Sequence, residues 1–152
     1  MHQYYKPRID SDGYSVISGE SYKEITREFF EKYEITKEGN WYTCMQKPFK
    51  LHPEFDSIIL KICAQDPFAK ILLHAPDNEE ILEIFKKRLK KCMNRIHYIP
   101  MLPHHELMGL YNVSDVILDS YYAGGCTTTR EALEIGAPVI TLPGKYLGGR
   151  WS

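Results

Sequence analysis

The sequence lacks the features that mark several large classes of protein. Its 19 basic and 20 acidic residues leave a formal charge of −1, so it has no basic excess of the kind that nucleic-acid-binding domains show. No stretch approaches the roughly eighteen consecutive apolar residues of a membrane helix, and the polar start, Met1 to Arg8, has no apolar signal core. These absences predict a cytoplasmic protein that binds neither nucleic acid nor a membrane.

Paired cysteines are also missing. The four cysteines stand far apart with no ligand-like spacing, at positions Cys44, Cys63, Cys92 and Cys126. Zinc sites are typically built from closely spaced pairs of cysteine or histidine. The spacing therefore predicts reduced thiols and no metal site.

What the sequence does contain is an alternation of strand and helix patterns. Residues 1–20 are polar, with glycine and proline and little periodicity, and predict a peripheral arm of little functional importance. The domain spans 21–152 and is expected to open with a helix over Ser21 to Tyr33. Strands are predicted at 41–45, 70–74, 95–99, 115–119 and 138–142, with helices at 53–65, 78–91, 104–112 and 127–135. Such alternation predicts an α/β fold, a Rossmann-like parallel sheet with helices on both faces.

The segment Gly124 to Glu131 is the most informative part of the chain. It follows the apolar strand ending at Asp119, and ligands of open parallel sheets bind in loops of this kind. Its small residues allow an anion to approach the backbone, and Thr127 and Thr128 open the next helix, whose N-terminus favours phosphate. Glu131, one turn later, can accept hydrogen bonds from ribose hydroxyls. The segment predicts a site for the diphosphate and ribose of a nucleotide sugar, although a simple turn with a Thr127 cap would explain the glycines as well.

Two blocks of sequence resemble the C-terminal catalytic half of the O-linked N-acetylglucosamine transferase family, glycosyltransferase family 41. One runs from Asp115 through Gly125-Cys-Thr-Thr-Thr-Arg-Glu131 to Gly144, and the other runs from Cys44 to Asp56. They stand in the family's order, and the resemblance covers about residues 27–152. It implies the C-terminal, nucleotide-sugar half of a GT-B glycosyltransferase, which needs no metal or other cofactor.

The resemblance also implies roles for individual residues. Gln46 and Lys50 match donor-phosphate contacts, and Lys50 would stabilise the leaving diphosphate; a surface lysine before a helix is the alternative interpretation. Leu102 and His104 match the residues beside the base, where many relatives have a lysine in place of His104. The phosphate and ribose contacts correspond to Gly125, Cys126, Thr127, Thr128 and Glu131. Cys126 replaces a histidine or asparagine, which leaves its backbone N–H for the phosphate.

The implied function is donor binding, with a UDP-linked sugar favoured over a GDP-linked one, for transfer to a hydroxyl acceptor on a protein. The family's N-terminal Rossmann-like half and its helical repeats have no counterpart here, and relatives continue beyond Gly149, so we expect a domain truncated at its C-terminus that needs a separate N-terminal half and is inactive alone. Two alternatives remain: a non-catalytic nucleotide-sugar-binding fragment or subunit, and a nucleotide-sugar epimerase.

Overall fold

The structure is a computed structural model, and it describes residues 7–145. Within this range there are five strands: β1 (Asn40–Cys44), β2 (Ala69–His74), β3 (Ile96–Ile99), β4 (Val116–Leu118) and β5 (Val139–Ile140). The α-helices are α1 (Pro53–Gln65), α2 (Glu79–Arg88), α3 (His104–Val113) and α4 (Thr127–Glu134). Three 3-10 helices span Arg27–Tyr33, Pro48–Lys50 and Lys90–Arg95.

All the strand pairings are parallel, and the strand order is β3-β2-β1-β4-β5. Tyr42 at the centre of the sheet pairs with Ile71 on one side and with Val116 on the other. Strands this apolar are typical of a sheet whose two faces are both covered by helices. The predicted Rossmann-like α/β fold is confirmed.

The two faces of the sheet carry separate cores. Successive side chains of a strand point to opposite faces, so Trp41 packs with one set of helices and Cys44 with the other. The first core contains residues of the 3-10 helix Arg27–Tyr33, α3 and α4, and the second contains residues of α1, α2 and the 3-10 helix Lys90–Arg95. Helices therefore do cover both faces, as the sequence predicted.

Two predicted helices differ from those in the structure. The predicted helix over residues 21–33 is a 3-10 helix that begins only at Arg27, because Ile25 is buried against α3, where a Cβ on Gly109 would lie 2.6 Å from the Cβ of Ile25. The predicted helix over residues 78–91 ends at Arg88, and a 3-10 helix follows in which Cys92 has non-helical dihedrals. Ile25 is buried in the core on one face of the sheet and Cys92 in the core on the other. Tertiary packing therefore outweighs local helix preference at both places.

The topology fixes where a ligand can bind. From β1 the chain moves outward to β2 and β3, and it then returns to β4 on the other side of β1. At the carboxyl edge of the sheet, the connection after β1 therefore leads toward β2, and the connection after β4 leads the opposite way, toward β5. In open α/β sheets ligands bind in the crevice at this point, which here lies between Met45 and Ser120.

The ends of the chain bear on two predictions. Residues 1–6 of the predicted arm and residues 146–152, where a truncation was expected, lie outside the described residues. No helix within residues 7–145 is long and apolar enough to cross a membrane.

Candidate functional site

The loop after β4 is organised by one buried carboxylate. Asp119, 8% exposed, accepts hydrogen bonds through Oδ1 from the backbone N–H of Ser120 at 2.9 Å and of Gly125 at 2.7 Å. Its Oδ2 accepts from the Thr141 hydroxyl at 2.9 Å. The first residue after β4 therefore folds the glycine loop back on itself and ties it to the segment after β5.

The loops after β1 and β4 meet through a second set of hydrogen bonds. Gln46 is buried, and its Nε2 donates to Thr128 Oγ1 at 2.7 Å. The ammonium of Lys50 donates to Gln46 Oε1 at 3.0 Å and to the Gly124 carbonyl at 3.2 Å. Gln46, Lys50, Gly124 and Thr128, which the sequence placed in two separate blocks, thus form one cluster at the crevice.

Close packing in this cluster requires glycine at position 125. A Cβ there would lie 2.8 Å from Gln46 Nε2 and 2.9 Å from Thr128 Oγ1, and closer still to the buried Thr129 hydroxyl. Gly125 does not have a positive φ angle, so its backbone conformation does not require glycine. Glycine is required because a Cβ at this position would occupy the space in which three polar side chains converge on the backbone of the loop.

The N-terminus of α4 has an unusual first residue. Cys126 precedes the helix with φ 50° and ψ −101°, in a region that residues with a Cβ rarely adopt, and its side chain makes no capping hydrogen bond. Thr127 begins the helix and is half-buried. The positive end of the helix dipole therefore lies at the crevice beside Lys50 and favours an anion there.

One turn further along α4, the predicted ribose carboxylate is already paired. Glu131 is 2% exposed, and its Oε1 lies 3.2 Å from Nε2 of His104 and 3.4 Å from Nη1 of Arg8. The structure brings His104, predicted beside the base, to the carboxylate predicted for the ribose. Leu102, the other predicted base-side residue, is half-buried in the loop between β3 and α3 and packs against the first core.

Lys50 dominates the electrostatics of the crevice. Its two acceptors are neutral oxygens, and no carboxylate within residues 7–145 forms an ion pair with it. Beneath it, burial raises the pKa of the Cys44 thiol to about 12, with Asp119 raising it and Lys50 lowering it to smaller extents. A half-buried ammonium with only neutral partners is free to neutralise an anion.

Within residues 7–145, no group of three His, Cys, Asp or Glu side chains could hold a metal ion. In the same part of the chain, Lys50 places a cation at the crevice.

Solved structures with a similar fold include a transferase, an epimerase and a glycosyltransferase. A mutant of the O-GlcNAc transferase of Thermobaculum terrenum is 29% identical with a TM-score of 0.69, and the match covers 74% of this chain and 23% of that one. The UDP-GlcNAc 2-epimerase of Neisseria meningitidis, bound to UDP-GlcNAc, is 15% identical with a TM-score of 0.62, covering 82% of this chain and 33% of that one. WaaG, a glycosyltransferase involved in lipopolysaccharide biosynthesis, is 17% identical with a TM-score of 0.58, covering 88% and 35%.

These likenesses show a glycosyltransferase fold of the GT-B type, and at 15% and 17% identity the last two show the fold alone. No family model matches the chain. The match spans between about a quarter and a third of the length of each of these three proteins.

Three residues of the site were missed from the sequence. Asp119 stands at the end of a predicted strand, and its position before a glycine loop was the signal that could have found it. Arg8 and Ser15 belong to the segment predicted to be a peripheral arm. They reach α3 and α4 only through tertiary contacts, which no local pattern announces.

Proposed function

We propose that this chain is the nucleotide-sugar-binding half of a GT-B glycosyltransferase of the O-GlcNAc transferase type. It would hold a UDP-linked sugar for transfer to a hydroxyl on a protein acceptor. The similarity to the T. terrenum O-GlcNAc transferase supports this choice of reaction, as does the family resemblance of residues 44–56 and 115–144.

The observation that carries the proposal is the position of Lys50. It reaches across the crevice from the loop after β1 to the glycine loop after β4, and no carboxylate among the described residues neutralises it. A diphosphate placed at the α4 N-terminus would meet this ammonium and the helix dipole together.

In the proposed reaction the acceptor oxygen forms a bond to the anomeric carbon, and the bond from that carbon to the diphosphate oxygen breaks. Negative charge then develops on the leaving diphosphate. Lys50 and the α4 N-terminus would stabilise this charge more in the transition state than in the bound donor, which is how they would accelerate transfer. The base that takes the acceptor proton is assigned to a separate N-terminal Rossmann-like half.

Titration calorimetry with UDP and with GDP tests donor binding directly. We expect UDP to bind, and we expect Lys50→Ala to weaken binding by about 1.5 to 3 kcal/mol, the range for a hydrogen bond to a charged group. That loss corresponds to roughly a tenfold to hundredfold change in Kd.

The matched control is Lys61→Ala, which removes the same charge from an exposed position of α1. It should leave the affinity for UDP unchanged. Absence of UDP binding to the folded chain, or equal losses in the two variants, would contradict the proposal. Stronger binding of GDP than UDP would overturn the choice of nucleotide.

A further inference from the structure

Residues 7–20, here called the N-terminal segment, are anchored on the two helices that carry the ribose side of the site. The backbone N–H groups of Arg8 and Ile9 donate to the carboxylate of Glu134 on α4, at 3.3 and 2.9 Å. Ile9 is 9% exposed and belongs to the first core. Ser15 is 1% exposed and lies against His104 at the start of α3.

The hydrogen bonds of the Ser15 hydroxyl determine the direction of its proton. Its Oγ accepts from the backbone N–H of Ile17 at 3.2 Å and of Ser18 at 3.1 Å, and it lies 2.6 Å from His104 Nδ1. A hydroxyl has two acceptor lone pairs and one proton. Since both lone pairs are used, the Ser15 proton points to Nδ1, and Nδ1 accepts.

The proton of the imidazole ring therefore resides on Nε2. That atom lies 3.2 Å from Glu131 Oε1 and donates to it. Which ring nitrogen carries the proton is set by the hydrogen bond that the other nitrogen makes. Ser15 thus donates to His104, and His104 donates to Glu131. Arg8 forms an ion pair with the same carboxylate oxygen at 3.4 Å.

We propose that the N-terminal segment completes the nucleotide site, with Ser15 as a positioning residue. It holds His104 in the tautomer with its proton on Nε2, and through His104 it fixes the Glu131 carboxylate for the ribose hydroxyls. The consequence for ribose recognition rests on the proposed function, whereas the tautomer is a property of the free chain.

The first experiment is an NMR measurement of the histidine ring nitrogens in the nucleotide-free, ¹⁵N-labelled full chain. The His104 signals are assigned by their loss in His104→Gln. We expect the protonated nitrogen to be Nε2 in the wild type, and we expect Ser15→Ala to shift the Nδ1 resonance, because that nitrogen loses the hydrogen bond it accepts. Protonation of Nδ1 in the wild type, or an unchanged Nδ1 resonance in Ser15→Ala, overturns the inference.

The second experiment compares UDP with 2′-deoxy-UDP by calorimetry. Ser15→Ala should weaken UDP binding about fivefold, the equivalent of one ordinary hydrogen bond, and should reduce the preference for UDP over the deoxy compound. Ser15→Thr keeps the hydroxyl and should restore the preference. Ser18→Ala, in the same segment, is the control, because the buried Ser18 hydroxyl has no hydrogen-bond partner among the described residues.

The two proposals fail in different ways. If the wild type binds no UDP, the proposed function is wrong, and the ring-nitrogen measurement still decides the role of Ser15. If Ser15→Ala weakens UDP and 2′-deoxy-UDP equally, or no more than Ser18→Ala does, Ser15 has only a structural role and the positioning inference is wrong.

Discussion

At the scale of single residues, Cys126 shows how the glycine loop is joined to α4. Its positive φ places the backbone in a region that costs about 1 to 3 kcal/mol for a residue with a Cβ. The neighbouring contacts of Gly125 leave the chain little freedom to relax. The strain is therefore held by the surrounding structure at the position where the loop turns into the helix.

Cys126→Gly should raise the free energy of unfolding by about 1 kcal/mol, because relief of the strain outweighs the greater freedom of glycine in the unfolded chain. UDP affinity should stay the same, since the backbone N–H predicted to contact the phosphate is retained. Urea titration and calorimetry measure the two quantities. Cys126→Val is the control and should destabilise, because a β-branched residue is least suited to positive φ; a less stable Cys126→Gly would contradict the account.

The sequence named several side chains that the structure brings together, but it did not predict the contacts among them. Gln46, Lys50 and Thr128 were named from motif positions, and parallel topology brings them together. Their roles toward a nucleotide stay predictions. The chain from Ser15 to Glu131 could not be predicted, because it joins residues 89 and 27 positions apart and depends on the path of the N-terminal segment.

At the scale of elements, the 3-10 helix Arg27–Tyr33 is fastened to the amino edge of the sheet by one side chain. Arg27 donates to the carbonyls of Val113 at 2.9 Å and Gly39 at 2.9 Å, and to Asp115 Oδ2 at 2.7 Å. Its guanidinium carbon lies 4.7 Å from the ring centroid of Trp41. Asp115 Oδ2 in turn accepts a hydrogen bond from the backbone N–H of Trp41 at 2.7 Å. The 3-10 helix, β1 and the start of β4 are therefore joined by one hydrogen-bond network.

Arg27→Ala should lower the free energy of unfolding by about 2 to 4 kcal/mol, because it leaves several acceptors without a donor and removes packing on Trp41. Arg27→Lys should not restore stability, since a single ammonium lacks the planar fork. Urea denaturation measures both variants. Lys37→Ala, which breaks the exposed pair with Glu28, is the control and should have no resolvable effect; an equally small effect of Arg27→Ala would contradict the anchoring role.

Helix starts were the elements that the sequence located best. α1, α3 and α4 begin at the predicted residues Pro53, His104 and Thr127. Proline at or just before the first turn marks the first two of these starts. The helix predicted from Ser21 was wrong in type and start, because burial of Ile25 against Gly109 is a tertiary effect that periodicity does not register.

At the scale of the whole molecule, the folded state favours the protonated forms of four buried or half-buried ionisable groups. Burial raises the pKa of Cys44, Cys92 and Tyr98 to about 12 in each case, and a hydrogen bond with Cys63 adds to the shift of Cys92. Burial also raises the pKa of Tyr111, which is 1% exposed, well above its ordinary value. Unfolding returns all four groups to water.

We therefore expect stability to fall at alkaline pH. A raised folded pKa contributes stability that is complete below the unfolded pKa, ordinarily 9.0 for cysteine and 10.0 for tyrosine, and that is lost as pH rises from there toward the folded pKa. Each group can contribute up to roughly 1.4 kcal/mol per pH unit within that window. Urea midpoints measured at intervals from about pH 7.5 to 10.5 test this, the range being chosen to span the ordinary cysteine and tyrosine values.

Cys92→Ala provides the comparison for the alkaline loss. It should lower stability at neutral pH by removing a buried group, but its decline above the cysteine pKa should be shallower than that of the wild type. A wild-type midpoint that stays constant across the range would show that these groups do not titrate on unfolding.

The pairing of β1 with β4 also sets when the crevice can form. Trp41 and Asp115, joined at the start of this pairing, are separated by 74 positions in sequence, whereas the pairings of β1 with β2 and of β2 with β3 close shorter loops. Loop closure makes distant contacts slower to form. A chain in which only β1, β2 and β3 have paired holds Gln46 and Lys50 but not the glycine loop. A nucleotide that needs both sides would bind after this last pairing, so it should slow unfolding without speeding folding.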